Sequence, residues 1–139
     1  CFVSKTSPLL GVVSAMAPII VSGNAVILIV ENEAPTISME LAEVLATSDL
    51  PGGVVNILTG TREELVSHVA GHMDVDAVAS FGSGGDERRS IQVLASESVK
   101  RVKFFDDPTS ANWTQDSQQS PYWILPFVEF KTAWHPIGV

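Results

Sequence analysis

The chain has 139 residues, 45% of them hydrophobic and 17% charged. That is enough for one domain with a substantial core, and it excludes a disordered segment. Eight basic residues stand against sixteen acidic ones, a net charge of −8, which excludes a general nucleic-acid binder because affinity for phosphate backbones is mostly cationic.

The single cysteine, Cys1, rules out an internal disulfide and any CxxC metal site, and fits a reducing cytoplasm. A start on Cys1 rather than Met is what a fragment, a processed product or one piece of a longer protein would show. Gly11 to Val30 approaches membrane-spanning length. Ser14, Pro18 and Ser22-Gly23-Asn24 divide it into a helix and then a strand, so no membrane span is expected.

In chain order, Pro8 to Val21 reads as a buried helix that Pro18 should kink or end, with Gly23 as its stop. Ala25 to Val30 is an uninterrupted β-prone run, the mark of a strand covered on both faces. Pro35 opens a second helix, whose inner stripe is Ile37, Leu41, Val44 and Leu45. Leu50-Pro51-Gly52-Gly53 is a loop and Val54 to Leu58 a strand. Thr61 and Glu64 have capping-box spacing, which starts a third helix at Arg62 with Leu65, Val66 and Val69 inward and Gly71 at its end. Asp76 to Phe81 is a strand and Gly82-Ser83-Gly84-Gly85 a tight turn. Asp86 to Glu97 is a helix with Ile91, Leu94 and Ala95 inward, and Lys100 to Phe105 is a strand. Helices and strands alternating with short links predict a doubly wound parallel α/β sheet.

Beyond Phe105 the character changes. Asp106 to Ser120 is polar and aperiodic. Phe127 to Trp134 alternates, with Val128, Phe130, Thr132 and Trp134 on one face and Glu129, Lys131, Ala133 and His135 on the other. This half-buried strand has no hairpin mate beside it, so it is expected to leave the main lobe and pair elsewhere. The division expected is 1–105 as the α/β domain, 106–124 as a polar connecting loop and 125–139 as the pairing strand.

The strand-to-helix turn at Gly82, Ser83 and Gly84 is placed where backbone N–H groups and a helix N-terminus hold phosphate. It matches neither G-x-G-x-x-G nor the P-loop, and a plain strand-to-helix turn is the favoured reading, because glycine turns are common. His68 and His72 are four apart, but Gly71 ends the helix between them and no third ligand is evident, so no metal is expected. Cys1 has no His neighbour to activate it. Asp106-Asp107 beside Pro108 reads as a solvated turn. Arg88, Arg89, Lys100, Arg101 and Lys103 gather five of the eight basic residues, which suits an acidic partner, a phosphate or a solvated face.

Taken together, these segments resemble the aldehyde dehydrogenase superfamily. Ser7-Pro8-Leu9-Leu10 is similar to the helix after its Pro-Trp-Asn segment, and Ser22 to Leu28 (SGNAVIL) to its "aGNtVvlKPse" stretch. Leu50 to Gly60 (LPGGVVNILTG) matches "lPpGVvNvvtG", the most specific of the set. His72 to Ala79 (HMDVDAVA) is similar to "HpdvdkvaFTGS", with Gly82-Ser83 as its glycine turn. Val128 to Trp134 (VEFKTAW) resembles the C-terminal "teyKtvw" strand, which in the family pairs across subunits.

The resemblance implies a Rossmann-like domain with a C-terminal oligomerisation strand. Its departures imply lost chemistry. The family's ribose-holding lysine and acid fall on Ile29 and Asn32, and an apolar side chain cannot donate to a hydroxyl. The general-base glutamate falls on Phe105, which cannot take a proton. The catalytic lobe with its nucleophilic cysteine is skipped, so no thiohemiacetal can form.

The pattern resembles the degenerate second copy in the two-domain branch of the superfamily, or a free-standing relative of it. It implies a non-catalytic, structural domain. No cofactor is then expected, with NAD or NADP at Gly82, Ser83 and Gly84 if a vestige of the site survives. The expected partner is an aldehyde dehydrogenase catalytic domain, or further copies of the chain, contacted through Phe127, Val128, Phe130, Thr132 and Trp134 in the cytoplasm. Two alternatives are a part of an active NAD(P)-dependent aldehyde dehydrogenase and a nucleotide-binding module.

Overall fold

The computed structural model describes residues 1–31, 35–107 and 112–136. Four strands, β1 (Val26–Val30), β2 (Val55–Thr59), β3 (Ala77–Phe81) and β4 (Arg101–Phe105), alternate with four helices. These are α1 (Leu10–Val21), α2 (Pro35–Ala46), α3 (Arg62–Gly71) and α4 (Gly85–Ser96). β1 pairs parallel with β2 from Val26 opposite Val55 to Val30 opposite Thr59. β3 pairs parallel with β4 from Ala77 opposite Arg101 to Phe81 opposite Phe105.

The two pairs are joined by the first residues of the chain. Phe2 makes parallel bridges to Ile29 of β1 and Ser80 of β3. Val3 donates to Ile29 and Phe2 to Ala79, while Ile29 donates to Cys1 and Phe81 to Phe2. Cys1 to Val3 therefore run through the centre of one parallel sheet ordered β2–β1–(Cys1–Val3)–β3–β4. Three residues without a flanking turn or a long apolar run carried no strand signal in the sequence. Their pairing is a tertiary event.

Both faces are covered, as a parallel sheet requires. Val12, Ala15, Met16 and Ile19 of α1 pack with Val26, Leu28, Val30 and Phe81 on one face, joined by Leu41 and Leu45 of α2. Val66 and Ala70 of α3 and Ile91 of α4 pack with Phe2, Ile29 and Val78 on the other. The doubly wound α/β architecture is the one expected.

The long apolar run resolves into α1 and β1, and among the described residues no helix is long and apolar enough to cross a membrane. α1 begins at Leu10 rather than Pro8 and passes through Pro18 to Val21. Its end is a Schellman turn. Gly23 at φ +85° closes it, with Gly23 donating to Ile20 and Asn24 to Ile19.

The stripe of α2 differs from the expectation. Leu41 and Leu45 turn inward as expected, but Ile37 and Val44 are exposed, and Ser38 and Ala42 take the inward places. α2 lies over the edge strand β2, where only a narrow stripe has anything to pack against. The Thr61–Glu64 capping box does not form, since no side chain caps α3.

Val99, between α4 and β4, holds φ at +54°, and Lys100 donates to Ala95 across it. This is the left-handed position that ends a helix and favours glycine, and a β-branched residue there is strained. Val99 is 90% exposed, so no packing offsets the strain. Val99→Gly is expected to stabilise the fold by about 1 kcal/mol. A rise in the urea midpoint at unchanged slope checks it.

The segment after β4 packs on the α/β domain. It folds back as two 3-10 helices, Asp116–Gln119 and Pro121–Phe127. Trp113 is buried, and its indole N–H donates to Thr6 Oγ1 at 2.9 Å. Trp123 stacks on Phe105 at 4.9 Å between ring centroids. Scattered aromatics show no period, so the polar composition concealed this docking.

The expected strand at Phe127 to Trp134 is absent from this single chain. Phe127 closes the second 3-10 helix and packs on the core, and no ladder forms over residues 128–136. Its alternating side chains find no partner strand here, and an amphipathic strand needs one. Residues 108–111 of the polar link and 137–139 of the tail lie outside the described residues.

Candidate functional site

The strand order reverses between Cys1–Val3 and β3. In sheets of this kind the crevice outside the carboxyl ends of the strands at such a reversal is where ligands bind. Here those ends are Val3 and Phe81, and the loops around them are Ser4 to Ser7, Glu31, the Gly82–Gly84 turn and Asp106-Asp107.

Arg62, the first residue of α3, reaches into this crevice. Its Nη1 donates to the Phe81 carbonyl at 2.7 Å and its Nη2 to the Val3 carbonyl at 2.9 Å. The guanidinium lies over the Phe2 ring, 5.5 Å from its centroid, and stands 3.5 Å from Glu87 Oε1. The arginine is 7% exposed. It was read from the sequence only as the start of a helix. A single arginine beside a capping motif looks like a surface residue, and no local pattern marks it as buried.

The glycine turn is built as a strand-to-helix corner. Gly82 takes φ +66° and stands against Asp107, whose Cβ and Oδ2 would lie 3.0 Å from an added Cβ. Ser83 is buried. Its hydroxyl is 2.6 Å from Ser80 Oγ and donates to Glu87 Oε1 at 3.1 Å. Arg88 Nε donates to the Ser83 carbonyl at 2.9 Å. Gly84 is the exposed, extended residue before α4.

Across the crevice Ser4 donates to Asp107 and lies 2.9 Å from Thr6 Oγ1. The acid pair Asp106-Asp107 therefore splits. Asp107 is tied to Ser4, while Asp106 meets Arg88 Nη2 at 3.2 Å.

Glu31, at the end of β1, pairs with Lys5 at 2.7 Å. Burial raises its carboxyl pKa, but hydrogen bonds from the Lys5 side chain and the Arg62 backbone, with the charges of Lys5 and Arg62, outweigh this and hold it below the ordinary 4.5. A depressed carboxylate adds stability above its unfolded pKa and loses it as pH falls through the folded one. The stability advantage of the wild type over Glu31→Gln is therefore expected at neutral pH and should shrink as the solution is acidified below 4.5. Urea titrations at stepped pH check this.

The remaining candidates are dispersed. His68 and His72 are both exposed, and His72 Nδ1 accepts from the Asp74 amide at 3.2 Å. Among the described residues no three His, Cys, Asp or Glu side chains could hold a metal. Cys1 is half-buried. The basic cluster also divides. Arg101 meets Glu129 at 3.5 Å, and the Lys103 ammonium lies 5.6 Å from the Phe105 ring centroid.

Of the places implied by the resemblance, Ile29 is 1% exposed and packs with Phe2 and Val66, whereas Asn32 lies outside the described residues. Phe105 stacks on Phe81 at 4.7 Å. These residues do not fit a dinucleotide. At the place that the resemblance gives to the ribose contact the side chain is apolar and buried, and the turn's hydroxyl is engaged from within. Of the tail residues, Phe127 and Val128 are half-buried, Thr132 is exposed, and Phe130 and Trp134 are 84% and 91% exposed.

Comparison with known proteins agrees with this architecture. The family model described as "Aldehyde dehydrogenase family" matches residues 6–104. The mitochondrial aldehyde dehydrogenase of Leishmania tarentolae is 34% identical over 95 residues, 68% of this chain and 19% of that protein. The NADP/NAD-dependent aldehyde dehydrogenase PuuC of Escherichia coli (strain K12) is 31% identical over 105 residues, 76% of this chain and 21% of that protein. The crystal structure of an aldehyde dehydrogenase from Bartonella henselae superposes with a TM-score of 0.61 at 28% identity, covering 70% of this chain and 20% of that one. The chain thus spans about a fifth of the length of these relatives. With a matching family model over most of its length and a doubly wound sheet in common with a solved relative, the chain belongs to the aldehyde dehydrogenase family.

Proposed function

We propose that this chain is a non-catalytic aldehyde-dehydrogenase-like domain with a structural role in the assembly of an aldehyde dehydrogenase. The observation that carries the reading is Phe105. At the place that the resemblance gives to the general base, an aromatic ring packs against both Phe81 and Trp123, and such a ring neither accepts nor relays a proton. The sole cysteine, Cys1, lies in the centre of the sheet and lines the cavity that opens beside the amino ends of the strands.

The assembly role is supported by the tail. Val128 to Pro136 forms no ladder with the sheet and exposes Phe130 and Trp134 almost completely. Large aromatics in this state favour a partner surface. The partner in this reading is an aldehyde dehydrogenase catalytic domain or a further copy of the chain, in the cytoplasm.

A second reading, a part of an active NAD(P)-dependent aldehyde dehydrogenase that oxidises an aldehyde to a carboxylic acid, draws support from the names and greater lengths of the relatives. It concerns the activity of a longer protein rather than this chain.

Two measurements test the proposal. The purified chain, given an aldehyde and NAD or NADP, is expected to form no NADH or NADPH. Replacing Phe130 and Trp134 by Asp is expected to weaken association with the catalytic domain, or self-association, at least tenfold, because buried aromatic anchors are each worth about 2 kcal/mol or more. Cofactor reduction by the isolated chain, or association unaffected by both substitutions, contradicts it.

A further inference from the structure

The misfit between this crevice and a dinucleotide has a specific structural form. At a strand reversal of this kind two features ordinarily face an anionic ligand, namely the amides at the start of the helix after the glycine turn and a nearby cation. Both are present here. α4 begins at Gly85, directly behind the Gly82–Gly84 turn, and Arg62 supplies the positive charge over the ends of Val3 and Phe81.

A carboxylate from the chain itself lies beside Arg62 and the Ser83 hydroxyl of the turn. Glu87, in the first turn of α4, accepts from the buried Ser83 hydroxyl at 3.1 Å and faces Arg62 Nη1 at 3.5 Å. We propose that the Glu87 carboxylate is a resident internal anion. In this reading it occupies the position a dinucleotide pyrophosphate would take and, with Arg62, locks the crevice in a closed, cofactor-independent form. The proposal rests on the non-catalytic reading above and adds the device that replaced the cofactor.

Each contact has a physical reason. A negative charge in the first turn of a helix is favoured by the helix dipole. A guanidinium can satisfy two carbonyls and a carboxylate at once, because its donors are spread in a planar fork. The Phe2 ring closes the remaining face of the cation. The paired charges leave little unsatisfied for an incoming phosphate, which would have to displace a carboxylate held at high local concentration by its own backbone.

The test uses inorganic pyrophosphate as the probe, at matched ionic strength, with thermal unfolding as the readout. The wild-type midpoint is expected not to move in a saturable way. Glu87→Ala removes the internal anion and leaves Arg62, Ser83 and the α4 amides facing an open space, so its midpoint is expected to rise saturably with pyrophosphate. Glu87→Gln fills the space without charge and is expected to show no rise.

A saturable shift in the wild type, or no shift in a folded Glu87→Ala, overturns the proposal. If Glu87→Ala does not fold, the backbone amide resonances of Ser83 to Asp86 in the wild type are followed against pyrophosphate. Unmoved resonances support the assignment and a saturable movement overturns it. Failure here is separable from failure of the functional reading. Pyrophosphate binding by the wild type without aldehyde oxidation removes only the internal anion, whereas aldehyde oxidation removes the non-catalytic reading.

Discussion

Arg62→Ala is expected to destabilise the protein by about 3–5 kcal/mol, the range for breaking a buried ion pair by removing one member. Three groups lose their partner together. The Val3 and Phe81 carbonyls, held at 2.9 and 2.7 Å, sit at the ends of the two central strands, where water has poor access. Glu87 loses its facing cation.

An unsatisfied buried acceptor costs about 1–3 kcal/mol by itself, so the loss cannot be as small as that of a surface arginine, about 0–1 kcal/mol. Arg62→Lys should recover only part of it, because one ammonium at the end of a flexible stem does not reproduce a fork that spans two carbonyls. Urea unfolding of the three proteins measures the effect. A loss for Arg62→Ala within the surface range would mean that the guanidinium is solvated rather than built into the sheet. The substitution is also expected to loosen the junction between Cys1–Val3 and β3, since Arg62 ties both strand ends to α3. Faster amide exchange at Phe81 would show this.

Phe81→Ala is the second large effect, again about 3–5 kcal/mol. Phe81 is 2% exposed and is shared by three aromatics. Phe105 stacks on it at 4.7 Å, Trp123 at 6.0 Å, and Trp113 lies tilted at 6.5 Å. Its removal takes away both the buried area and the surface against which the segment after β4 docks.

Two consequences are expected. Tryptophan emission should shift to the red as Trp113 and Trp123 gain water. Limited proteolysis should then cut between Asp107 and Pro121 well before the rest of the chain. Phe81→Leu keeps most of the volume and should cost much less. If Phe81→Ala unfolded the chain without an earlier cut in this segment, the docked residues would belong to the same cooperative unit as the sheet, and the separate-docking account would fail.

Much of this fold could be read from the chain alone, because the signals involved are local. Val26 to Val30 is a pure β-branched and leucine run, and only a strand buried on both faces suits it. Pro35 and Gly71 mark helix ends by their own backbone chemistry. Ile91, Leu94 and Ala95 turn inward because spacing of three and four residues places them on one side of α4. The glycine turn was legible for the same reason, and so were the apolar residues Ile29 and Phe105 within their strands.

What the tertiary structure alone decided involves residues distant in sequence. Cys1 to Val3 become the central strand through bridges to β1 and β3, and three residues carry no period. Arg62 is buried because α3 crosses from β2 back over the sheet to β3 and brings its first residue onto the ends of Val3 and Phe81. Ile37 and Val44 are exposed because α2 covers an edge strand. Trp113, Trp123 and Phe127 join the core although they are separated by polar residues that obey no periodicity. Hydrophobic patterning records which side of an element faces inward. It does not record which element lies opposite, and the pairing of Arg62 with Glu87 depends on that second kind of information.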